Sequence, residues 1–321
     1  MNKTMIAALV LGATSLPAAA QTTGGVTLYG LIDTTIRYST HENAAGNSNL
    51  QMMDGVLTGS RWGLRGTEDL GGGLKAVFNI ENRFNVDTGT DTTGFTGNAY
   101  LGLEGGFGAL HLGRTYTAFD GVKAISVGSS VFDSAFTPNA ISGYQVRADN
   151  GVKYVSPSFG GVTLAASASL REDKSINAEN ITSLSAVYSA GPLRAGVAFE
   201  NNVTANNTVV SGAYDFGTFS VSGGYTVMSG DGTGNDAKGY NLGVTVPVGA
   251  MKFSAGYADR KTETNTGATV SDFSGWGVGA TYSLSKRTTA YAGYSDVKTK
   301  NAAGVKTAGT RLYAVGIRHD F

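Results

Sequence analysis

The stretch VTLYGLIDTTIRYS, Val26 to Ser39, is written with a period of two. One parity carries Val26, Leu28, Gly30, Ile32, Thr34, Ile36 and Tyr38, nearly all apolar. The other carries Thr27, Tyr29, Leu31, Asp33, Thr35, Arg37 and Ser39, a mixed set that holds both charges. Successive side chains of an extended chain point to opposite faces, so this pattern specifies a strand with one apolar and one polar side. LKAVFNIENRF repeats it, with Leu74, Ala76, Phe78 and Ile80 set against Lys75, Val77, Asn79, Glu81 and Arg83.

The same unit runs to the end of the chain. Sixteen segments read this way: 26–39, 58–68, 74–85, 98–104, 109–116, 150–156, 161–171, 180–189, 192–201, 207–216, 218–228, 238–247, 250–262, 272–285, 288–299 and 309–321. Many approach the roughly 9–11 residues that a tilted strand needs to cross a bilayer. Short connections (69–73, 105–108, 189–191, 215–218, 247–249, 285–287) lie among long polar ones (40–57, 86–97, 229–237, 263–271, 300–308). Tight turns on one side and long loops on the other describe an up-and-down hairpin chain. An even strand number puts both termini on the short-turn side and leaves no sheet edge when the sheet closes. No helical period persists over three turns and no linker splits the chain. The expectation is one all-β domain over 21–321, a 16-stranded antiparallel transmembrane β-barrel.

Composition agrees. Only 15% of residues are charged, against about 25% in a typical soluble protein. Lys plus Arg equals Asp plus Glu, 24 each, and there are 47 glycines and no cysteine. The mean hydropathy is −0.05. A net charge of zero lacks the basic footprint of a nucleic-acid binder. With 15 Tyr and 14 Phe and few charges, the chain is not a disordered one. The absence of cysteine removes disulfide scaffolds, thiolate metal sites and cysteine nucleophiles. An apolar outside around a polar inside fits all of these figures. Glycines within strand patterns, such as Gly66, Gly102, Gly196 and Gly223, suit a curved sheet and close approach.

Residues 1–20, MNKTMIAALVLGATSLPAAA, read as a secretory signal peptide: a positive start at Lys3, an apolar run from Met5 to Leu11, and small residues Ala18-Ala19-Ala20 before a cleavage point at Gln21. No later stretch approaches the roughly 18 apolar residues of a transmembrane helix.

One connection is unusual. Between strands ending near Tyr116 and starting near Asn150, the chain carries Phe119, Val122, Ile125, Val131, Phe132, Phe136, Ile141 and Tyr144. A loop this long is usually functional or disordered, and a solvated one does not need so many apolar side chains. It is expected to fold into the barrel and narrow a lumen that a barrel of this size otherwise leaves open.

The chain resembles the general porins of Gram-negative bacteria, especially the beta-proteobacterial group. The resemblance runs over the whole length and rests on VTLYGLID (26–33), SRWGLRGTEDLGGGLKAVFNIE (60–81), GALHLGRTY (108–116), NGVKYVSPSFGGVTL (150–164) and LYAVGIRHDF (312–321). It implies sixteen strands, a homotrimer, and an inward-folded third external loop. Some members carry PEFGG in that loop, where this chain has SVFDSAFTPNA (130–140). It also implies that the terminal Phe321 is the aromatic read by the outer-membrane insertion machinery. Parity with Tyr313, Val315, Ile317 and His319 sets Phe321 on the lipid side.

A pore acts through its width and the charges at its narrowest point. Parity points Arg37, Arg61, Arg65, Lys75 and Arg83 into the lumen as a basic wall, and the resemblance adds Arg114 and Arg147. Strict alternation sets Arg114 with Leu110 and Leu112 on the lipid side, where a charge costs about 2–4 kcal/mol at midplane. A bulge near Gly113 is therefore expected. Asp120 and Asp133 on the long connection are the expected acidic side. The expected activity is a water-filled outer-membrane channel for small hydrophilic solutes and ions, with a mild anion preference. The partners are outer-membrane lipid and identical copies, with no nucleic acid, no cofactor and no metal. A substrate-specific channel for organic acids or sugars is the near rival, and a secreted β-sandwich adhesin the distant one. An enzyme is disfavoured: His41, His111 and His319 have no metal-ligand spacing, and DGTGND (231–236) lacks the full calcium-loop pattern.

Overall fold

The computed structural model describes residues 24–41, 48–91, 93–127, 139–170, 181–202, 204–231 and 234–321. The strands are β1 (Gly25–His41), β2 (Ser48–Asp54), β3 (Arg61–Gly71), β4 (Leu74–Arg83), β5 (Ala99–Gly105), β6 (Gly108–Tyr116), β7 (Arg147–Val155), β8 (Val162–Ser169) and β9 (Thr182–Ala190). They continue as β10 (Leu193–Asn201), β11 (Ala205–Asp215), β12 (Ser220–Gly230), β13 (Asp236–Val248), β14 (Met251–Glu263), β15 (Thr269–Ser283), β16 (Thr288–Asn301) and β17 (Lys306–Asp320). Among the described residues one helix, α1 (Ala118–Val127), lies between β6 and β7.

From β3 onward every strand pairs antiparallel with its sequence neighbour, and β1 closes the sheet against β17 from Leu31↔Asp320 to His41↔Thr310. On its other side β1 pairs twice. Its first half meets β3 (Gly25↔Thr67 to Leu31↔Arg61) and its second half meets β2 (Thr34↔Asp54 to Thr40↔Ser48). β2 and β3 are thus two pieces of one barrel strand interrupted by residues 55–60, and the closed barrel has sixteen staves from seventeen strands. β2 falls within 40–57, a span whose composition predicts a long polar loop. Its alternation of exposed Leu50 and Met52 with Asn49 and Gln51 is that of a strand, but only a short one.

Alternation decides which side faces lipid. In β17 Tyr313, Val315 and Ile317 are exposed while Leu312 and Ala314, of the other parity, are buried. Aromatic rings collect at both ends of the outward face. Toward the long loops, Tyr38, Tyr313, Tyr294 and Trp276 touch in sequence round the barrel, with centroids 6.3, 4.7 and 5.1 Å apart. Toward the short turns, Tyr214, Phe216 and Phe219 stack at 4.6 and 4.7 Å. These belts mark the two interfaces of a bilayer. The first short turn shows why glycine is needed there: Gly71, Gly72 and Gly73 all have positive φ, a region that side chains disfavour.

The helix α1 packs on the opposite, polar-parity face of β8 to β13. Phe119, Val122 and Ile141 bury themselves with Ala198 and Val209, whose neighbours Phe199 and Val210 point outward and stay exposed. The strands make room with small residues. A Cβ at Gly224 would sit 2.6 Å from Ser126 Cβ, and one at Gly196 3.1 Å from the Val122 side chain. The Ala118 N–H meets the hydroxyls of Ser167 and Ser183, each at 3.0 Å. The return leg is pinned as well: Ala140 N donates to Asn241 Oδ1 (2.8 Å), and Asn202 and Asn207 donate to the Gly143 carbonyl (2.9 and 3.0 Å).

Candidate pore constriction

Arg61 on β3 and Arg83 on β4 are directly paired across the ladder. Glu81 shares their face. Its Oε1 lies 3.9 Å from the Arg61 guanidinium and 3.3 Å from that of Arg83, and its Oε2 is 3.2 Å from the Tyr29 hydroxyl. Arg147 opens β7 opposite Tyr116, with its guanidinium 3.9 Å over the Tyr116 ring. In α1, Asp120 accepts from the Tyr144 hydroxyl at 3.0 Å. Arg61, Arg83, Tyr116, Asp120, Lys123, Tyr144 and Arg147 line one space together with residues 55–59. Because α1 rests on β8–β13 and also faces β3 and β4 here, that space lies inside the closed sheet, between distant staves.

The remaining residues of the expected basic wall are not at this level. Arg65 lies four residues nearer the short-turn end than Arg61, about 13 Å along a strand, with its guanidinium 5.0 Å from the Tyr29 ring centroid. Lys75 is farther still, cross-strand from Asp69 and Glu104, beside the short turns. Arg37 stands toward the long loops, level with Gln51 and Ala314. The pairing of β6 with β7 shifts between Gly113 and Thr115, and Gly113 has a φ of 124°. This is the bulge that the charge of Arg114 calls for. Arg114 Nε donates to the Thr96 carbonyl at 3.1 Å and its guanidinium contacts Asp149. Asp133 lies outside the described residues.

Two further elements line this space without a signal in the sequence pattern. Lys123 lies one turn beyond Asp120 in a segment with no persistent helical period. The 55–60 turn folds onto the lumen face, with Val56 and Leu57 packed against inward-facing Tyr291, Leu312 and Ala314. Its sequence, GVLTGS, carries turn glycines that read equally well as external loop.

A closed sheet with aromatic belts, an apolar exterior and charged side chains across its interior defines an outer-membrane β-barrel channel. The chain belongs to the Gram-negative porins, a family that it matches over residues 7–302. It is 30% identical to outer membrane porin protein 32 of Delftia acidovorans over 362 residues, covering both chains in full. It is equally identical to an outer membrane porin protein of Bordetella pertussis over 390 residues, again in full. Among solved structures it superposes on an anion-selective porin from Comamonas acidovorans with a TM-score of 0.74 and 26% identity, over 93% of this chain and 100% of that one. The protein is an outer-membrane porin, a passive diffusion channel for small hydrophilic solutes and ions.

Proposed function

We propose that the channel prefers small anions, and that its selectivity is set where Arg61, Arg83, Lys123 and Arg147 face Asp120. Transport has no chemical step and runs down the gradient. The observation that carries this reading is the charge balance of that one space: four cations against Asp120, with Glu81 partly offsetting the Arg61–Arg83 pair. A low-dielectric wall focuses such a field and raises the local concentration of the opposite charge. The solved anion-selective porin supports it by likeness. The α1 connection is the element that narrows the lumen, with Arg37, Arg65, Lys75 and Arg114 as further basic positions along the path.

The working form is a homotrimer of chains shortened by residues 1–20. The exposed Leu50, Met52 and Leu101 give the outward face of β2 and β5 an apolar surface suited to a neighbouring copy. Sequencing of the mature N-terminus should begin at Gln21. Planar-bilayer recording under a KCl gradient tests the main claim: the reversal potential should have the sign of an anion-preferring channel, and a cation sign would overturn it.

A further inference from the structure

The interruption of the second stave is held by a carboxylate that no solute reaches. Asp33 is fully buried on β1, opposite the gap between β2 and β3. Its Oδ2 accepts from the Thr58 N–H at 2.7 Å and its Oδ1 from the Tyr291 hydroxyl at 2.5 Å. Its own N–H donates to Ser60 Oγ at 3.0 Å, and Ser60 Oγ returns a bond to the Asp33 carbonyl at 3.3 Å. Thr35 Oγ1 takes the Val56 N–H at 3.2 Å. The fit leaves no room at Gly55, where a Cβ would collide with the Thr58 carbonyl and lie 2.5 Å from the Asp33 carboxylate. The far side of the turn reaches the pore: Arg61 donates from its guanidinium to Thr58 Oγ1 at 2.6 Å.

The geometry points to Asp33 as a positioning residue of the pore: by seating the 55–60 turn it fixes Thr58, and Thr58 fixes the Arg61 guanidinium at the constriction. A buried carboxylate with a donor at each oxygen holds its partners in one arrangement, whereas a loose turn would leave Arg61 free to swing. The turn also forms the wall facing α1, so the pore runs between two inward-folded elements. This inference rests on the anion-preferring reading of the constriction, and it makes a sign prediction that bulk electrostatics does not. Removing a negative charge near a pore should by itself raise anion preference, but unseating Arg61 should lower it.

The test is reversal potential and single-channel conductance in KCl gradients for the full-length protein and five variants, with heat-shifted gel mobility as a check on folding. Asp33→Asn removes the charge and puts an N–H donor where the Thr58 N–H needs an acceptor, Thr58→Val deletes the acceptor for Arg61 without changing charge, Thr58→Ser keeps it, Gly55→Ala displaces the turn, and Arg61→Gln is the direct reference. Asp33→Asn, Thr58→Val and Gly55→Ala should move the reversal potential at least halfway toward that of Arg61→Gln, with Thr58→Ser unchanged; a shift of Asp33→Asn to the anion side would overturn the positioning role. If Arg61→Gln shifts the potential and Thr58→Val does not, the positioning role is overturned. If the parent protein shows no anion preference, the constriction reading itself fails. The positioning role is then judged on conductance, where a change in Thr58→Val absent from Thr58→Ser supports it and equal conductance in the two overturns it.

Discussion

Arg61 and Arg83 face one another across neighbouring antiparallel strands, one of the least favourable cross-strand pairs a sheet can contain. The pair persists because the Glu81 carboxylate, only 7% exposed, lies within 3.9 Å of the first guanidinium and 3.3 Å of the second. A sheet selected for stability alone would not set two arginines opposite each other and bury an acid to hold them. The arrangement fits the proposed constriction, where it keeps positive charge at one level of the pore.

Glu81→Gln keeps the size and a hydrogen-bond acceptor but removes the charge. Charge-assisted hydrogen bonds of this kind contribute on the order of 1–3 kcal/mol, so the folded barrel should lose about that much, seen as a lower temperature for the gel mobility shift. The lumen gains one positive charge, so the reversal potential should move further to the anion side. Arg83→Gln should move it the other way. Shifts of the same sign in both variants would refute the opposed roles.

Phe119 is wholly buried among Val122, Ile141, Ala198 and Val209. Truncating such a side chain costs roughly 3–5 kcal/mol of local packing. The ladder of the barrel does not pass through it, so the loss should loosen α1 and leave the barrel folded. Phe119→Ala should therefore raise single-channel conductance and its noise while the mobility-shift temperature stays near that of the parent. An unchanged conductance would show that α1 does not limit the pore.

The barrel was legible because lipid enforces a strict period of two on every stave, and sixteen of the seventeen strands carry it at readable length. β2 escaped because a stave broken by an inward turn leaves only a few alternating positions, Leu50 and Met52 among them. The lumen side is less legible. Parity says that Arg37, Arg61, Arg65, Lys75 and Arg83 point inward, but not their depth, which depends on how strands are staggered. The register puts Arg61 level with Arg83 and leaves Lys75 far along the same strand. Arg114 was legible for the opposite reason: a charge at an outward position demanded a bulge, and Gly113 supplies it. The docking site of α1 had a trace in the small lumen-parity residues Gly196, Ala198 and Gly224, of which Gly196 reads equally well as a glycine that bends the sheet.

Ile317 is exposed on β17, midway between the outward rings of Tyr313 and Phe321. Those rings lie eight residues apart, about 26 Å along the strand, so Ile317 sits near the middle of the apolar band. Ile317→Arg should destabilise the barrel in lipid by about 2–4 kcal/mol. The reverse exchange at the lumen-facing neighbour, Arg318→Ile, should not produce that loss. Urea titrations of vesicle-embedded protein, followed by tryptophan fluorescence, compare the two directly.

The closing seam ends at Gly30 and Phe321, which exchange backbone hydrogen bonds of 3.1 and 3.0 Å. The Phe321 ring lies so closely over Gly30 that a Cβ there would collide with it and come within 2.5 Å of the Arg61 carbonyl. Gly30→Ala should cost about 1–3 kcal/mol by overpacking. Phe321→Ala removes the ring but keeps the backbone pair, so alone it should weaken the refolded barrel by less. In the double variant the ring clash is gone while the clash with the Arg61 carbonyl remains, so the two losses should sum to more than the measured total. Strict additivity in refolding yield and urea midpoint would show that the ring is not what Gly30 accommodates.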